Sequence, residues 1–389
     1  MTSGRSRAFQ FVILFGVVNL FADLTYEGGR SVTGPFLAQL GATAAVISIV
    51  SGAAEFLGYA LRAVAGYLAD KTKRYWTFTF VGYAINLLAV PALALAGSWP
   101  SASVFIAAER TGRAIRRPIV QGMLSHTKGE VGGGLAFGIN ESLDALGATV
   151  GPLVIALVLA RGGSYRAGFA TLLIAAALSL VMLAITRRRY PHPQTLEAPG
   201  RADLTLGRSY WIWLIAAGLI GFGFVDFSLI AFHLQRTGVL QREAIPLAYA
   251  TAMGVGAVGN LALGRLYDRV GMAVIVGVFL VGACFTPLVF FGRATFAFIG
   301  AALWGVNKGA QDTLFKPMIA PLIAPSRRTS AFGIFDTVFG VFWVAGSVAF
   351  GLLYDKSLTA LVTLSVVTQL LSLPLFMVGS ATAKIRKTS

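Results

Sequence analysis

The sequence is poor in cysteine, histidine and charge, and each shortage excludes a class of protein. A single Cys, Cys284, cannot build a disulfide framework or a cysteine-based metal site. Three His residues give weak support for a transition-metal site, and the chain has no phosphate-binding P-loop for ATP. We therefore predict no cofactor and no bound metal. Only 12% of the 389 residues are charged, against roughly 25% in soluble domains, so most of the surface is expected to face lipid.

Long apolar runs take up most of the chain. A helix that spans a bilayer needs roughly 20 mainly apolar residues, and twelve runs of this kind are present. They predict an all-α integral membrane protein with twelve transmembrane helices. The runs cover residues 8–30, 40–68, 75–97, 102–124, 132–160, 166–186, 210–235, 244–266, 272–292, 294–320, 329–354 and 358–380.

Many of the charges lie in the links between these runs. Lys and Arg together number 32, against 16 Asp and Glu. On a soluble domain this excess would indicate a nucleic-acid partner, but in short links it follows the positive-inside rule. We expect no nucleic-acid partner, a multi-pass protein of the inner (plasma) membrane, and both termini in the cytoplasm. The longest hydrophilic stretch separates an N-terminal six-helix bundle at 1–186, a cytoplasmic central linker at 187–209, and a C-terminal six-helix bundle at 210–389.

The two halves match at four places, in the same order and about 200 residues apart. The matched segments contain charges and prolines, which general apolarity does not explain. This repeat predicts two pseudo-symmetric bundles. The pairs are residues 66–71 with 264–269, 136–139 with 331–334, 21–23 with 224–226, and 117–118 with 316–317.

The first pair carries a family motif. Residues 66–74 resemble the loop motif of the major facilitator superfamily, G-x-L-x-D-(R/K)-x-G-(R/K), and residues 264–271 form a second copy. Lys73 stands where the motif has Gly, which predicts a looser turn. Residues 147–152, Gly-Ala-Thr-Val-Gly-Pro, resemble an element of the superfamily's antiporters. The stretch 109–152 is similar to bacterial efflux-type (drug:proton antiporter-like) permeases.

The resemblance implies a monomer that works by alternating access, with a conformational switch at the loop motifs and the Gly-Pro element. Two glycines four residues apart also fit plain close packing of helices, and a proline in a helix fits a bend. These roles are compatible. The expected switch residues are Gly66, Asp70, Lys71, Arg74, Gly264, Asp268, Arg269, Gly147, Gly151 and Pro152.

Two helices carry charges on one face. Glu109, Arg113 and Arg117 fall at i, i+4 and i+8 of the fourth span, and the tenth span repeats this spacing. In the family fold both spans border a central cavity, so these charges are expected either to contact substrate or to pair structurally. The predicted cavity residues are Glu109, Arg110, Arg113, Arg117, Asn140, Lys308, Asp312 and Lys316.

Several acids lie at membrane depth. An unpaired charge there costs a few kcal/mol or more, so such acids are functional candidates by default. A carboxyl group whose surroundings alternate can take up and release a proton, which proton coupling requires. The alternatives are a position near the interface or a pair that holds helices together. The predicted proton-coupling residues are Asp23, Asp226, Glu141, Asp144 and Asp336.

These features predict a secondary active transporter of a small solute, working by proton-coupled export. The partners are a small-molecule substrate, protons and the lipid bilayer. A proton-coupled importer of a small anionic nutrient or metal complex is the alternative. A transport-inactive sensor or scaffold is the alternative of another class. No nucleophile or metal constellation suggests an enzyme.

Overall fold

The structure is a computed structural model that describes residues 3–125, 133–190, 206–323 and 328–388. Within these ranges every regular element is a helix, in agreement with the predicted all-α membrane fold. The helices are α1 (Ser3–Arg30), α2 (Thr33–Gln39), α3 (Ala44–Thr72), α4 (Tyr75–Ala92), α5 (Trp99–Ser125), α6 (Gly133–Ala160), α7 (Tyr165–Arg189), α8 (Arg208–Gly223), α9 (Phe227–Arg236), α10 (Ala244–Val270), α11 (Met272–Gly282), α12 (Phe285–Phe291), α13 (Ala294–Ile319), α14 (Arg328–Tyr354) and α15 (Leu358–Thr388).

Ten candidate spans in the described chain are long and apolar enough to cross a membrane; α8 with α9, and α11 with α12, each count as one. The fourth and tenth predicted spans, α5 and α13, are not among them. They contain 27 and 26 residues, which is long enough at about 1.5 Å rise per residue. Their charged residues lower their hydropathy, and these are the residues that the sequence marks as candidates.

Two predicted spans are interrupted, which the sequence does not indicate. The run 272–292 breaks between α11 and α12, and the run 210–235 breaks between α8 and α9. At the second break the side chain of Asp226 accepts a hydrogen bond from the backbone N–H of Ser228 at 2.9 Å and caps α9. Length and apolarity alone do not indicate either break, although Asp226 lies at the second and Pro287 lies just inside α12 at the first.

The backbone groups at the α8–α9 break are satisfied by side chains. The indole N–H of Trp304 donates to the carbonyl of Val225 at 2.9 Å. The carbonyl of Gly223 accepts from the hydroxyl of Ser365 at 2.6 Å and from the amide of Gln369 at 3.2 Å. Such partners allow a helix to break at membrane depth.

The chain divides into two compact units that each take the end of one helix from the other half of the sequence. Unit 1 comprises Met1–Gly41, Leu61–Ala198 and Arg242–Ala250. Unit 2 comprises Ala42–Ala60, Pro199–Gln241 and Thr251–Ser389. Helices α3 and α10 therefore belong partly to each unit. The bundle and linker boundaries expected from the sequence stay a prediction.

Each unit contains helices in very close contact, and one such pair recurs at equivalent places in the two units. In unit 1, a Cβ at Gly147 or Gly151 of α6 would overlap the carbonyl oxygen of Leu20 or Leu24 on α1. In unit 2, a Cβ at Gly346 of α14 would overlap the carbonyl oxygen of Phe222 on α8. Gly346 follows Gly147 by about 200 residues, the spacing of the repeat. The close approach is therefore a repeated feature of both halves.

Each of the two loop motifs places a residue with a positive φ directly after its helix. Lys73 has φ of 55° after α3, and Gly271, at the equivalent place after α10, has φ of 70°. The looser turn expected at Lys73 stays a prediction: the lysine has a positive φ, as Gly271 does, and the ψ of Gly271 is −135°. Only Gly adopts this region without a steric penalty.

Candidate functional site

Buried and half-buried polar side chains from α1, α4, α5 and α6 form a cluster inside unit 1. A charged side chain buried within membrane-spanning helices costs free energy unless it is compensated, so it is a candidate functional residue. We call this group the arginine cluster. It comprises Asn19, Asp23, Tyr26, Glu27, Arg30, Tyr83, Asn86, Glu109, Arg110, Arg113, Arg116, Asn140 and Asp144.

Arg116 connects three helices within the cluster. Its guanidinium donates to Oδ1 of Asn19 on α1 and to Oδ1 of Asn86 on α4, both at 3.2 Å. It also pairs with the carboxylate of Asp23 on α1 at 3.3 Å and lies over the ring of Tyr83, 4.6 Å from its centroid. Asp23, a predicted proton-coupling residue, is therefore held in an ion pair.

Three arginines contact Tyr26. Arg30 donates to its hydroxyl at 3.0 Å, and Arg110 donates to the same oxygen. The guanidinium of Arg113 lies over the ring at 4.0 Å from the centroid, a cation–π distance. The ring of Tyr26 thus contacts Arg113, whereas its hydroxyl contacts Arg30 and Arg110.

Glu109 is engaged by its neighbours. Its Oε1 accepts a hydrogen bond from the amide of Asn86 at 2.8 Å, and its Oε2 lies 3.3 Å from the guanidinium of Arg110. The side chains of Glu109 and Arg110 are each only 8% exposed. This predicted cavity acid is thus committed to contacts inside unit 1.

Glu27 links the cluster to the beginning of α10. Its Oε2 accepts a hydrogen bond from the hydroxyl of Tyr249 at 2.5 Å. Its Oε1 lies 3.9 Å from the guanidinium of Arg113, too far for a hydrogen bond. Tyr249 lies in the part of α10 that belongs to unit 1. Tyr249 therefore holds Glu27 more firmly than Arg113 does.

Asp144 differs from the other predicted proton-coupling acids. Its Oδ2 accepts from the amide of Asn140 at 3.3 Å, and Asn140 accepts in turn from the amide of Asn19 at 2.9 Å. Its Oδ1 is buried and has no hydrogen-bond partner in the described part of the chain. No ion pair holds Asp144 among those residues. The neighbouring Glu141, one turn earlier on α6, is exposed.

The predicted site residues of unit 2 lie in simpler surroundings. Asp226 is buried and caps α9. Asp336 pairs with Lys316 at 3.4 Å, and Lys308 pairs with Asp312 at 2.7 Å within α13. The side chains of Lys316 and Asp312 are each 45% exposed. The structure does not bring these residues into one buried cluster within unit 2.

The buried polar groups around α13 are amides. Asn307 donates to the carbonyl oxygen of the Gln369 side chain at 3.0 Å, and Gln311 donates to Asn307 at 3.0 Å. All three side chains are buried. The interior of unit 2 next to α13 is therefore polar through uncharged groups.

The expected switch residues lie at three places. Gly66 and Gly264 lie in the last turns of α3 and α10, and Gly147, Gly151 and Pro152 lie at the contact of α6 with α1. The side chain of Asp70 falls outside the described part of the structure. The other members are exposed at the ends of α3 and α10 or just after: Lys71, Arg74, Asp268 and Arg269.

Sequence reasoning missed several members of the arginine cluster. Asn19, Asn86 and Tyr83 stand singly in apolar runs, and neither they nor Tyr26 were among the predicted site residues. Arg117, which was predicted, is half-buried and makes no ion pair or hydrogen bond among the described residues. The signal that was available is the polar side chain itself, because a buried amide or phenol at membrane depth needs a partner.

The described residues contain no group of three or more His, Cys, Asp or Glu side chains that could hold a metal ion. His233, on α9, lies 2.9 Å from the hydroxyl of Tyr354 through its Nδ1. Its ring packs against that of Phe290, with centroids 4.6 Å apart. The contacts of His233 are those of a packed helix residue.

Comparison with known proteins agrees with this architecture. A family model described as Major Facilitator Superfamily matches residues 20–347. An uncharacterized protein of Mycobacterium tuberculosis is 36% identical over 377 residues, which are 94% of this chain and 92% of that protein. An uncharacterized MFS-type transporter of Methanocaldococcus jannaschii is 22% identical over 355 residues, 89% of each chain.

Solved structures support the same fold. The nucleoside transporter NupG, as a mutant, superposes with a TM-score of 0.77 at 13% identity, covering 95% of this chain and 99% of that one. A mutant of the peptide transporter POT in complex with sulfate gives 0.78 at 12% identity, covering 96% and 94%. With a charged cluster inside an apolar helical fold and a family match over most of its length, this chain belongs to the Major Facilitator Superfamily and is a transporter, not an enzyme.

Proposed function

We propose that this protein is a proton-coupled secondary transporter that exports a small solute by alternating access. One observation carries the proton coupling: Asp144 is the one predicted acid of unit 1 that is largely buried and has no ion pair among the described residues. A carboxyl group of this kind can change its protonation without first breaking an ion pair. Asp23, by contrast, would have to leave Arg116.

The surroundings of Asp144 fit a group that changes its charge. Arg116 and Arg117 on α5, Asp23 on α1 and Glu141 on α6 interact with it electrostatically, and so does Tyr83 on α4. Two cations and two acids thus surround the carboxyl group without contacting it closely. A proton that arrives or leaves would alter the balance between Arg116 and Asp23, which joins α5 to α1.

The direction of transport rests on the Gly-Pro element of α6. Residues 147–152 resemble the element of the superfamily's antiporters, and they mediate the close contact of α6 with α1. An exporter that exchanges its solute for protons is the function expected from that resemblance. The basic links favour a plasma-membrane protein with both termini in the cytoplasm, and we expect a monomer.

The test is proton-coupled flux by the purified protein in proteoliposomes. An imposed pH step should drive flux of at least one solute from a broad panel of organic acids, bases and neutral compounds. Asp144→Asn should abolish the dependence of that flux on the pH gradient while exchange of solute against solute continues. Asp355→Asn is the matched control, because Asp355 is half exposed at the end of α14 and pairs with Arg236.

Two results would contradict the proposal. Flux that depends on the pH gradient equally in the wild type and in Asp144→Asn would remove Asp144 as the proton site. Solute that accumulates on the side that protons enter, so that solute and protons move in the same direction, would identify a symporter rather than an antiporter.

A further inference from the structure

Arg113 and Arg117 stand apart from the other arginines of α5. Arg110 and Arg116 donate hydrogen bonds to Tyr26, Asn19 and Asn86. Neither Arg113 nor Arg117 makes a hydrogen bond to any described residue. Both are at least half-buried. A guanidinium has five N–H donors and no acceptor, so each has donors available to a ligand.

Arg113 is oriented although it has no hydrogen bond. Its guanidinium lies over the ring of Tyr26 at 4.0 Å from the centroid, and its side chain is 20% exposed. Among the described residues its ion-pair partner is Glu27, which lies at 3.9 Å and already accepts from Tyr249 at 2.5 Å. Arg113 is therefore held by its face, and the N–H groups at its edge remain open.

Arg117 follows Arg113 by one helical turn. Side chains at i and i+4 lie on the same face of a helix, with Cβ atoms roughly 5–6 Å apart. No described residue lies within ion-pair distance of Arg117. The two arginine side chains therefore leave the same face of α5, one turn apart.

The arginine cluster as defined has as many arginines as carboxyl groups, so Arg117, next to it on α5, adds a positive charge that an anion would balance. The buried and half-buried charged side chains of α1, α5 and α6 include one more arginine than carboxyl group, and a protonated Asp144 would raise the excess further. Uncompensated charge at membrane depth is unfavourable. These side chains are Arg30, Arg110, Arg113, Arg116 and Arg117, against Asp23, Glu27, Glu109 and Asp144.

We propose that the substrate carries an acidic group, a carboxylate or a phosphate ester, and that Arg113 and Arg117 bind it. A fork of N–H donors matches the paired oxygens of either group. The acidic group would take the position near Arg113 that Glu27 approaches only at 3.9 Å. This inference rests on the proposed transport function and assigns the class of its substrate.

The test is binding to purified full-length protein, without any gradient. Benzoate is compared with benzamide and benzylamine, and glycerol 3-phosphate with glycerol, by the thermal unfolding of the detergent-solubilised protein. At least one anion should raise the unfolding temperature, and its neutral or cationic counterpart should not. Arg113→Gln should raise the dissociation constant for that anion by roughly 10- to 100-fold, the range expected for a lost charge-assisted hydrogen bond.

Three further variants keep the result interpretable. Arg113→Lys retains the charge but not the fork, and should recover only part of the affinity. Arg236→Gln removes an arginine whose side chain is 54% exposed and pairs with Asp355, and should bind the anion as the wild type does. Arg117→Gln should weaken binding as well, in a background where Arg113 is intact.

Several outcomes would overturn the inference. They are benzamide or benzylamine stabilising as much as benzoate, no anion of the panel binding, or wild-type affinity in Arg113→Gln. A stabilisation seen only with phosphatidylglycerol would also overturn it, because the anion would then be a lipid. Failure of the proposed function looks different. If the anion binds through Arg113 but its flux ignores a pH step, proton coupling fails and the substrate class stands.

Discussion

Helices α5 and α13 occupy equivalent places in the two halves of the chain, yet their charged side chains lie in different surroundings. In α5, Glu109 and Arg110 are each 8% exposed and Arg116 contacts side chains from two other helices. In α13, Lys308 pairs with Asp312 one turn away, and Asp312 is 45% exposed. The same i, i+4 spacing thus gives a buried network in unit 1 and a local, exposed pair in unit 2.

The difference teaches that charge spacing along one helix does not determine the role of the charges. Opposite α5, the neighbouring helices supply Asn19, Tyr26, Tyr83 and Asn86, which can hold arginines. The buried face of α13 contacts amides such as Gln369 instead. A repeat can therefore keep its backbone arrangement while only one half keeps a buried ionic site.

The largest expected effect comes from cutting the centre of the buried network. Arg116→Met leaves Asp23 and Asn19 without their cation, and breaking a buried pair from one side costs about 3–5 kcal/mol. Lys308→Met is the matched change in α13 and should cost at most about 1 kcal/mol, as for exposed pairs. Thermal or chemical unfolding in detergent measures both. Equal losses in the two variants would remove the contrast between the helices.

A smaller and symmetric effect is expected where the two halves agree. Gly147→Ala and Gly346→Ala each place a methyl group against a backbone carbonyl, of Leu20 and of Phe222. Overpacking of this kind typically costs about 1–3 kcal/mol. Unfolding measurements should give similar losses for both variants, and Gly97→Ala, where a Cβ meets nothing within 4 Å, is the control. A loss in one half alone would show that the close contact is not equivalent.

The smallest effect is expected at Lys73, in the first of the two loop motifs. Lys73→Gly should stabilise the turn by about 1 kcal/mol, because Lys73 holds a left-handed φ of 55° that is unfavourable for a residue with a Cβ. At the equivalent place, Gly271→Ala should destabilise by about 1–3 kcal/mol, because φ of 70° with ψ of −135° is a conformation that favours Gly. Opposite signs in unfolding experiments would support the equivalence of the two turns. A stabilising Gly271→Ala would contradict it.

Most of the fold could be predicted from the sequence because each span needs only length and apolarity. The predicted runs 75–97 and 244–266, for example, correspond to α4 with its following turn and to α10. The break at Asp226 could not be predicted, because the partners of its backbone carbonyls are distant in sequence. Trp304 donates a hydrogen bond to the carbonyl of Val225, and Ser365 and Gln369 donate to the carbonyl of Gly223. Asp226 carried a functional prediction from sequence, and the structure places it as a helix cap.

The candidate site was predictable in its charges but not in its partners. Arg113 and Asp144 stand out in an apolar sequence on their own. Asn86 and Tyr83 do not, since their meaning depends on α5 lying opposite α4, which no local pattern states. Asp23 pairs with Arg116, whereas Asp144 accepts a hydrogen bond from the amide of Asn140. This distinction depends on how α1, α5 and α6 pack, which the sequence does not state.

The break between α8 and α9 has a mechanical consequence. Straightening this helix would return the carbonyls of Gly223 and Val225 to the helical ladder and strip acceptors from the indole of Trp304 and the side chains of Ser365 and Gln369. Each orphaned donor in an apolar interior is unfavourable by about 1–3 kcal/mol. These hydrogen bonds therefore oppose straightening of the break. We expect α8 and α9 to keep their mutual angle and to move as one body.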